Sequence, residues 1–489
     1  MSEAQPGKLR PLALPRRMTA SDAIFWFTES ALPIFRPIIA ALYLLDRTPE
    51  VERLSRGAEA AVALVPRLHQ RVLEAPFGLG LPEWIDDPHM DLGYHLRHVA
   101  LPAPGTRRHL LELVAKLIAT PLDRERPLWE SYWIDGLDDG RAAYLIKMHH
   151  SVVDGVGSLA ILNAITQAGP DDDVLSVQGA GRRAAAGEPG LLDRLGRLAV
   201  DQVRAAAELA RSGIDTVGRL VREPRNALAD LDRTARGLRG MADDLLQPAV
   251  VDPLARASAG LSRRLDVAEL PLERLRKIKA PLGVTINDVV LTAFAGALGS
   301  YHRERHAGVE RLNCMVPMNL RTRSERDGLG NRVGVFNVRL PIGEQRTDAR
   351  LRDIVAQTRA AKEDQRGAAY PALAGVLPLV PTPAYRWFAR QSLGKVNVVC
   401  TNVPGVPERR FMAGAAVEAI YPFASPVEGT PVILALLSYA GTLHLGLDSD
   451  PEAVPDPEHL TELIEQEIVV MERLAGGAPA SDQPHESGE

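Results

Sequence analysis

"KMHHSVVDGVG", Lys147 to Gly157, sets two adjacent histidines four and five residues ahead of an aspartate and follows it at once with glycine. The approach to this motif decides the fold. "ESYWIDGLDDGRAAYLIKMHH", from Glu130, reads as a strand, a turn at Asp138 to Gly140 and a second strand running straight into the histidines. The motif therefore stands at a strand end, where a tight loop can hold it. Upstream, "PIIAALYLLD" (Pro37 to Asp46) is an apolar run of strand length, and "EAAVALVPRLHQRVLE" (59–74) carries the spacing of an amphipathic helix. "HLRHVALPAPG" reads as a strand with a turn and "RHLLELVAKLIATPLD" as a helix, while "RMTASDAIFW" opens a short helix capped by Thr19 or Ser21 and weighted by Phe25, Trp26 and Phe27.

The same alternation returns further along. "LDVAELPLERLRKIKAPLGVTINDVVLTAFAGALGSYHRER" gives a strand, a helix, a loop and a long helix from about Asn287. "RLNCMVPMNLR", "GVFNVRLPI", "GKVNVVCTNVPG" and "TLHLGLDSD" are strand-like, and "DPEHLTELIEQEIVVMERLA" closes as a helix. Strands alternating with helices in both halves predict an α/β fold of layered type. Between the halves, residues 168–262 contain no aromatic residue and read as a helical linker. The expected organisation is an N-terminal domain at 15–167, this linker, a C-terminal domain at 263–474 and a disordered tail at 475–489.

Composition narrows the classes. With 57 Lys and Arg against 62 Asp and Glu, the net charge of −5 gives no excess of phosphate-neutralising side chains, so nucleic acid is not an expected partner. Two cysteines, Cys314 and Cys400, are too few for a thiolate metal cage or a disulfide framework and read as buried thiols. No stretch supplies about eighteen consecutive apolar residues, and the N-terminus lacks an uninterrupted apolar segment with a cleavage site. A cytoplasmic protein is expected. In the linker, Leu191, Leu192, Leu195, Leu198, Val203 and Leu209 recur at helical spacing beside Arg194, Arg197, Arg204, Arg211, Arg219 and Arg222. Such a face suits either packing on its own protein or peripheral attachment at the inner membrane face or a lipid droplet.

The motif itself points to proton transfer. Imidazole, with an ordinary pKa of about 6.5, is neutral near pH 7 and able to hold a proton briefly, as a general base for an alcohol must. Asp154 and Gly155 can close a tight loop that fixes the ring, and Gly157 adds backbone freedom. A metal site fits poorly, since His149 and His150 cannot share a face and no third ligand is near. On average residue usage, HHxxxDG arises by chance on the order of once in a thousand chains of this length. Catalysis is the favoured reading.

HHxxxDG resembles the motif of the coenzyme A dependent acyltransferase superfamily. The surrounding blocks are similar to the bacterial wax ester synthase/acyl-CoA:diacylglycerol acyltransferase family: "RMTASDAIFW", "DLGYHLRHVALPAPG" (Asp91 to Gly105), "RPLWESYWIDGL" (Arg126 to Leu137), "TINDVVL" (Thr285 to Leu291), "PMNLR", "LGNRVG" and "TNVPGVP" (Thr401 to Pro407). The resemblance covers about residues 15 to 474 apart from much of the linker. It implies two domains of chloramphenicol acetyltransferase type with an active-site tunnel at their interface, admitting acyl-CoA from one side and diacylglycerol or a long-chain alcohol from the other. Acyl-CoA enters as a substrate, and neither cofactor nor metal is implied.

By the same resemblance His150 matches the base, Asp154 and Gly155 shape its loop, and His149 is the lesser partner. Asn287 is the candidate oxyanion donor, with an N-cap as its alternative, and Asp288 is structural. Trp129 is a candidate tunnel-lining residue with core packing as the alternative. Arg321 and Arg323 are candidates for the CoA phosphates, or surface arginines, and Asn402, Pro404 and Gly405 form a turn near the tunnel. His95 and His98 read as ordinary surface or strand residues. Two other readings compete: a condensation-type domain using a carrier-bound donor, and a lipid coat that keeps the fold without turnover. The later blocks speak against the first, and the presence of both His150 and Asp154 against the second.

Overall fold

The computed structural model describes residues 11–31, 35–78, 80–152, 155–174, 188–223, 249–257, 262–319, 333–363, 394–424 and 430–477, with isolated positions between them. Among these, two six-stranded sheets and one small hairpin carry the architecture. The first half supplies α1 (Ala20–Ala31), β1 (Ile38–Leu45), α2 (Val51–Leu64), β2 (Gln70–Leu73), β3 (Glu83–Asp86), α3 (Leu92–His95), β4 (Leu96–Ala100) and α4 (Arg107–Ala119). β5 (Trp129–Asp135), β6 (Ala142–His149) and α5 (Gly155–Ile165) follow, then the linker helix α6 (Leu191–Arg222). The second half supplies β7 (Arg264–Pro271), α7 (Leu272–Leu282), α8 (Ile286–Glu304), β8 (Leu312–Asn319), β9 (Val333–Leu340), α9 (Thr347–Glu363), β10 (Val398–Val403), β11 (Phe411–Met412), β12 (Ala415–Ala424), β13 (Val432–Tyr439), β14 (Thr442–Ser449) and α10 (Pro457–Ala475).

The strand into the motif is the most enclosed of the first sheet. Every residue of β6 is buried, because β1 and β5 pair with it antiparallel on either edge and helices cover both faces. One face packs on Leu110, Leu111, Val114, Ala115 and Ile118 of α4; the other packs on Trp26 of α1, Leu54 and Ala61 of α2, and Ile161 and Ile165 of α5. Burial on both faces explains why "IIAALYLL" and "AAYLIKM" read as continuous rather than alternating apolar runs. Each fully buried Leu or Ile contributes roughly 1.5–3 kcal/mol.

The first sheet runs β11-β12-β1-β6-β5-β4 and the second β7-β14-β13-β10-β8-β9. β11 and β12 come from late in the chain yet pair with the first sheet: β12 lies antiparallel to β1, with Ile39 opposite Ala424 and Tyr43 opposite Ile420. Residues 411–424 thus sit apart from the sheet built by their sequence neighbours. Gly446 on β14 lets the two sheets meet, since a Cβ there would stand 1.8 Å from the Pro422 carbonyl oxygen.

One helix differs from the sequence expectation. The helix expected over 59–74 begins earlier, at Val51, and stops at Leu64; a 3₁₀ turn at Pro66–Leu68 and strand β2 take its second half. Pro66 is the cause: it forces Val65 into an extended conformation (φ −111°, ψ 97°) and has no N–H to continue the helix. The short helix near Thr19, the strand at 37–46, the two strands around Asp138, the long helix near Asn287 and the closing helix stand as read. Cys314 and Cys400 are buried free thiols, as expected. The tail beyond residue 477 lies outside the described residues. Among the described residues no single helix is long and apolar enough to cross a membrane.

Candidate functional site

β6 delivers the two histidines, and backbone bonds pin them. His149 N–H donates to the Leu128 carbonyl (2.9 Å), His150 N–H donates to the Pro37 carbonyl (2.7 Å), and Val152 N–H closes a turn on the His149 carbonyl (2.9 Å). Two residues before His149, Lys147 is fully buried, its ammonium donating to the Leu117 and Thr120 carbonyls at the end of α4 (2.8 and 3.0 Å) and facing Glu130 Oε2 at 2.9 Å. The same Oε2 accepts from Tyr132 Oη (2.6 Å). This buried ion pair ties α4, β5 and β6 together immediately ahead of the motif. A charged side chain in an otherwise apolar strand was its sequence signal.

His149 is buried (2% exposed), and its tautomer is set by its neighbours. Ser151 N–H donates to Nδ1 (3.1 Å), so Nδ1 accepts and the proton resides on Nε2. Ser151 Oγ also lies 2.6 Å from Nδ1. Nε2 has no hydrogen-bond partner; Glu29 Oε2 of α1, also without a hydrogen bond but ion-paired with Arg124 at 3.7 Å, faces it at 3.7 Å. Burial, the adjacent His150 and Arg124 push the His149 pKa down to about 3. Burial raises the Glu29 carboxyl against the pull of Arg124 and Arg36. The edge of Trp26 closes this corner, 5.8 Å between ring centroids.

His150 is stacked face to face on Phe25 of α1, with centroids 3.9 Å apart and planes at 10°. Burial pushes its pKa down to about 4, with its own backbone carbonyl working weakly the other way. The ring is therefore neutral at pH 7, the form that accepts a proton. Its Nδ1 is enclosed and has no hydrogen-bond partner. Asp154 lies outside the described residues; Gly155 is where α5 begins. Phe25 and Glu29, four apart on one face of α1, escaped the sequence reading, which gave Phe25 only apolar weight. The i, i+4 spacing of an aromatic and an acid was the available signal.

The remaining sequence candidates divide. Asn287 and Asn402 come together from distant parts of the chain: Asn402 Nδ2 donates to Asn287 Oδ1 at 2.5 Å, leaving the Asn287 NH₂ as a donor. The N-cap of α8 is Thr285, in a capping box with Asp288, so the capping alternative for Asn287 falls away. Asp288 Oδ1 also accepts from Thr358 Oγ1 of α9 (2.8 Å), the structural role expected of it. Trp129 is corrected from a tunnel-lining candidate to a core residue. It is 2% exposed, donates its indole N–H to the Leu68 carbonyl (2.8 Å) and stacks on His95 at 4.6 Å.

His95 is likewise not a surface residue. It is fully buried, with Nδ1 on the Trp129 carbonyl (2.7 Å) and its pKa lowered by burial. Gly405 has a packing reason for being glycine, since a Cβ there would stand 2.0 Å from the Ser438 carbonyl oxygen, and its N–H donates to Ser438 Oγ (3.1 Å). Pro404 is exposed beside it. Arg321 and Arg323 lie outside the described residues. Among the described residues no three His, Cys, Asp or Glu side chains gather as metal ligands.

Two family models match the chain. Residues 18–290 match the wax ester synthase/diacylglycerol acyltransferase catalytic domain, and residues 329–472 match the C-terminal domain of the same family. A probable diacylglycerol O-acyltransferase of Mycobacterium tuberculosis, tgs1, is 30% identical over 459 residues, covering 92% of this chain and 94% of its own. A second from that organism, tgs2, is 29% identical and covers 94% of this chain and 99% of its own. In fold, the chain is similar to the wax ester synthase/diacylglycerol acyltransferase from Marinobacter aquaeolei VT8, with TM-score 0.63, 24% identity, and 94% and 100% of the two chains covered. The first condensation domain of the calcium-dependent antibiotic synthetase shares the fold at 16% identity, with TM-score 0.60 and 96% and 98% covered.

Proposed function

The chain belongs to the wax ester synthase/diacylglycerol acyltransferase family, and from that premise we propose that His150 is the base of an acyl-CoA:diacylglycerol O-acyltransferase that takes long-chain alcohols as a second acceptor class. The observation that carries the role of His150 is its place directly after a fully buried strand, with its ring stacked on Phe25 at 3.9 Å and its pKa lowered by burial. Imidazole takes the proton of the acceptor hydroxyl as the oxygen forms a bond to the thioester carbonyl carbon. The tetrahedral oxyanion then collapses, the C–S bond breaks, and the imidazolium protonates the leaving thiolate. Ester and free CoA result, and His150 is neutral again. No covalent acyl-enzyme forms.

In this reading Asn287, its amide oriented by Asn402, supplies the oxyanion donor. His149 serves as a neutral, tautomer-fixed neighbour, while Asp154 and Gly155 shape the loop. The substrates meet in a tunnel between the two domains, and Arg321 and Arg323 take the CoA phosphates. The test is thiol release from palmitoyl-CoA with diacylglycerol or hexadecanol as acceptor. Diacylglycerol-dependent release that falls about 10²-fold or more in His150→Ala supports the assignment. Undiminished release in a folded His150→Ala places the base elsewhere, and release with hexadecanol alone makes the chain a wax ester synthase.

Peripheral attachment to a lipid surface belongs to the same proposal. Leu195 and Leu198 of α6 are half-buried against the N-terminal domain, where Arg194 donates to the Glu74 carbonyl and Arg197 pairs with Glu83. Leu191, Leu192 and Val203 stay exposed at 58%, 84% and 68%, and Phe77, on the 3₁₀ turn that α6 touches, at 81%. That outward apolar set, flanked by Arg204 and Arg211, supports a lipid-facing side.

A further inference from the structure

α1 is more than a cover for the first sheet. Thr19 and Asp22 cap its start reciprocally, with Thr19 Oγ1 on Asp22 Oδ2 at 2.6 Å and Asp22 N–H on Thr19 Oγ1 at 3.1 Å. Trp26 and Ala23 are sunk in the core at 2% and 0% exposure. The Arg124 guanidinium sits 3.6 Å over the Trp26 ring. A helix held at both faces presents Phe25 as a fixed wall, and that wall lies parallel to the His150 imidazole at 3.9 Å.

We propose that Phe25 is a positioning residue for His150: its ring sets the plane of the imidazole and keeps water off one face. The nitrogen lone pair of imidazole lies in the ring plane, so a partner stacked on the face leaves the edge open to a hydroxyl. Stacking therefore directs the base rather than blocking it. Without it, rotation about the side-chain bonds swings the lone pair away from the reacting oxygen, and misplacement of about 1 Å lowers rate steeply. The apolar ring also withholds solvent from the charged form. Charged and titratable groups on the surrounding described elements include Asp22 and Glu29 of α1, Arg36 ahead of β1, Arg124 ahead of β5, Glu130 of β5, and Lys147 and His149 of β6. Burial is the cause that dominates the His150 shift.

The inference rests on His150 being the base, and the experiment separates the two. Phe25→Leu keeps an apolar side chain and removes the ring, and Phe25→Tyr keeps the ring. Phe25→Leu is expected to lower kcat about tenfold, with KM for palmitoyl-CoA and diacylglycerol within about twofold. The acidic midpoint of its kcat/KM profile should rise toward the ordinary histidine value of about 6.5. Phe25→Tyr should restore both. An unchanged kcat and profile in a folded Phe25→Leu, or a loss confined to KM, overturns the proposal. If Phe25→Leu does not fold, the wild-type protein decides. Carbethoxylation of His150 by diethyl pyrocarbonate, followed by mass spectrometry, should show a half-maximal rate below about pH 5, and a midpoint near 6.5 overturns the shielding. Activity retained in His150→Ala removes the base itself. An inactive His150→Ala beside a wild-type-like Phe25→Leu removes only the role of Phe25.

Discussion

Asn402 at the end of β10 donates its amide N–H to the amide oxygen of Asn287 in the first turn of α8, 2.5 Å apart and 115 residues apart in sequence. The bond occupies the Asn287 oxygen, and in the proposed role its NH₂ is the donor to the oxyanion. Asn287→Ala should lower kcat about 10²-fold, the scale of a lost oxyanion donor. Asn402→Ala should lower it by less, about tenfold, because the donor survives but is no longer oriented. Equal, small losses in both, with KM rising, would instead make the pair a substrate-contact element.

Lys147 and Glu130 form a buried ion pair next to the motif. Removing Lys147 leaves the buried Glu130 only the partly exposed Arg97, at 3.4 Å, as a charge partner, which destabilises by up to about 3–5 kcal/mol. Lys147→Met should show a loss of that size in urea unfolding, and Lys147→Met with Glu130→Leu should recover part of it. Full stability in the single variant contradicts the pairing.

The stability of the protein should depend on His149 at acid pH. Its folded pKa of about 3 lies below the unfolded value of about 6.5. Between these values the unfolded chain binds the extra proton. The contribution of His149 is thus fully present above about pH 6.5 and lost as pH falls through the window to about 3, at about 1.4 kcal/mol per unit. Asparagine at 149 keeps an acceptor for the Ser151 N–H and takes no proton. Urea midpoints from pH 7 to 4 should fall less steeply in His149→Asn. Glu29, raised by burial, opposes this trend in both proteins and largely cancels in the comparison. Identical slopes assign the acid sensitivity elsewhere.

If α6 lies on lipid, its exposed apolar residues and not its docked ones hold it there. Leu192→Ser with Val203→Ser and Phe77→Ser should reduce co-sedimentation with anionic phosphatidylglycerol vesicles about tenfold or more. Leu195→Ser and Leu198→Ser should weaken the packing of α6 instead. Binding unaffected by the exposed triple change moves the attachment to another surface.

The strand into the motif, the helix at Asn287 and the α/β layering were legible because each rests on local pattern: apolar runs, a helical period and turn residues at Asp138 to Gly140, although the cap of that helix is Thr285 and not Asn287. The end of α2 was misread although Pro66 stood in plain sight, because the apolar period continues past it into β2. Trp129 and His95 were misplaced for another reason. Each buries a ring against the other, His95 at the end of α3 and Trp129 at the start of β5, a contact between elements 34 residues apart that no local pattern records. The stacking of Phe25 on His150 joins residues 125 positions apart, and no local pattern records it.

The late position of β12 bears on how the protein is made. On a ribosome, Lys147 to Gly157 emerges long before residues 415–424, which must arrive before β1 acquires its second neighbour. Until then the motif-bearing sheet carries an open edge with unpaired amides, a template for joining to another chain. A polypeptide released at residue 262 should therefore aggregate rather than act as a free half-enzyme. Residues 263–477 supplied separately should rescue its solubility. Synthesis has to pass residue 424 before His150 stands on a complete sheet, so the edge that β12 covers is open for most of the time the chain is being made.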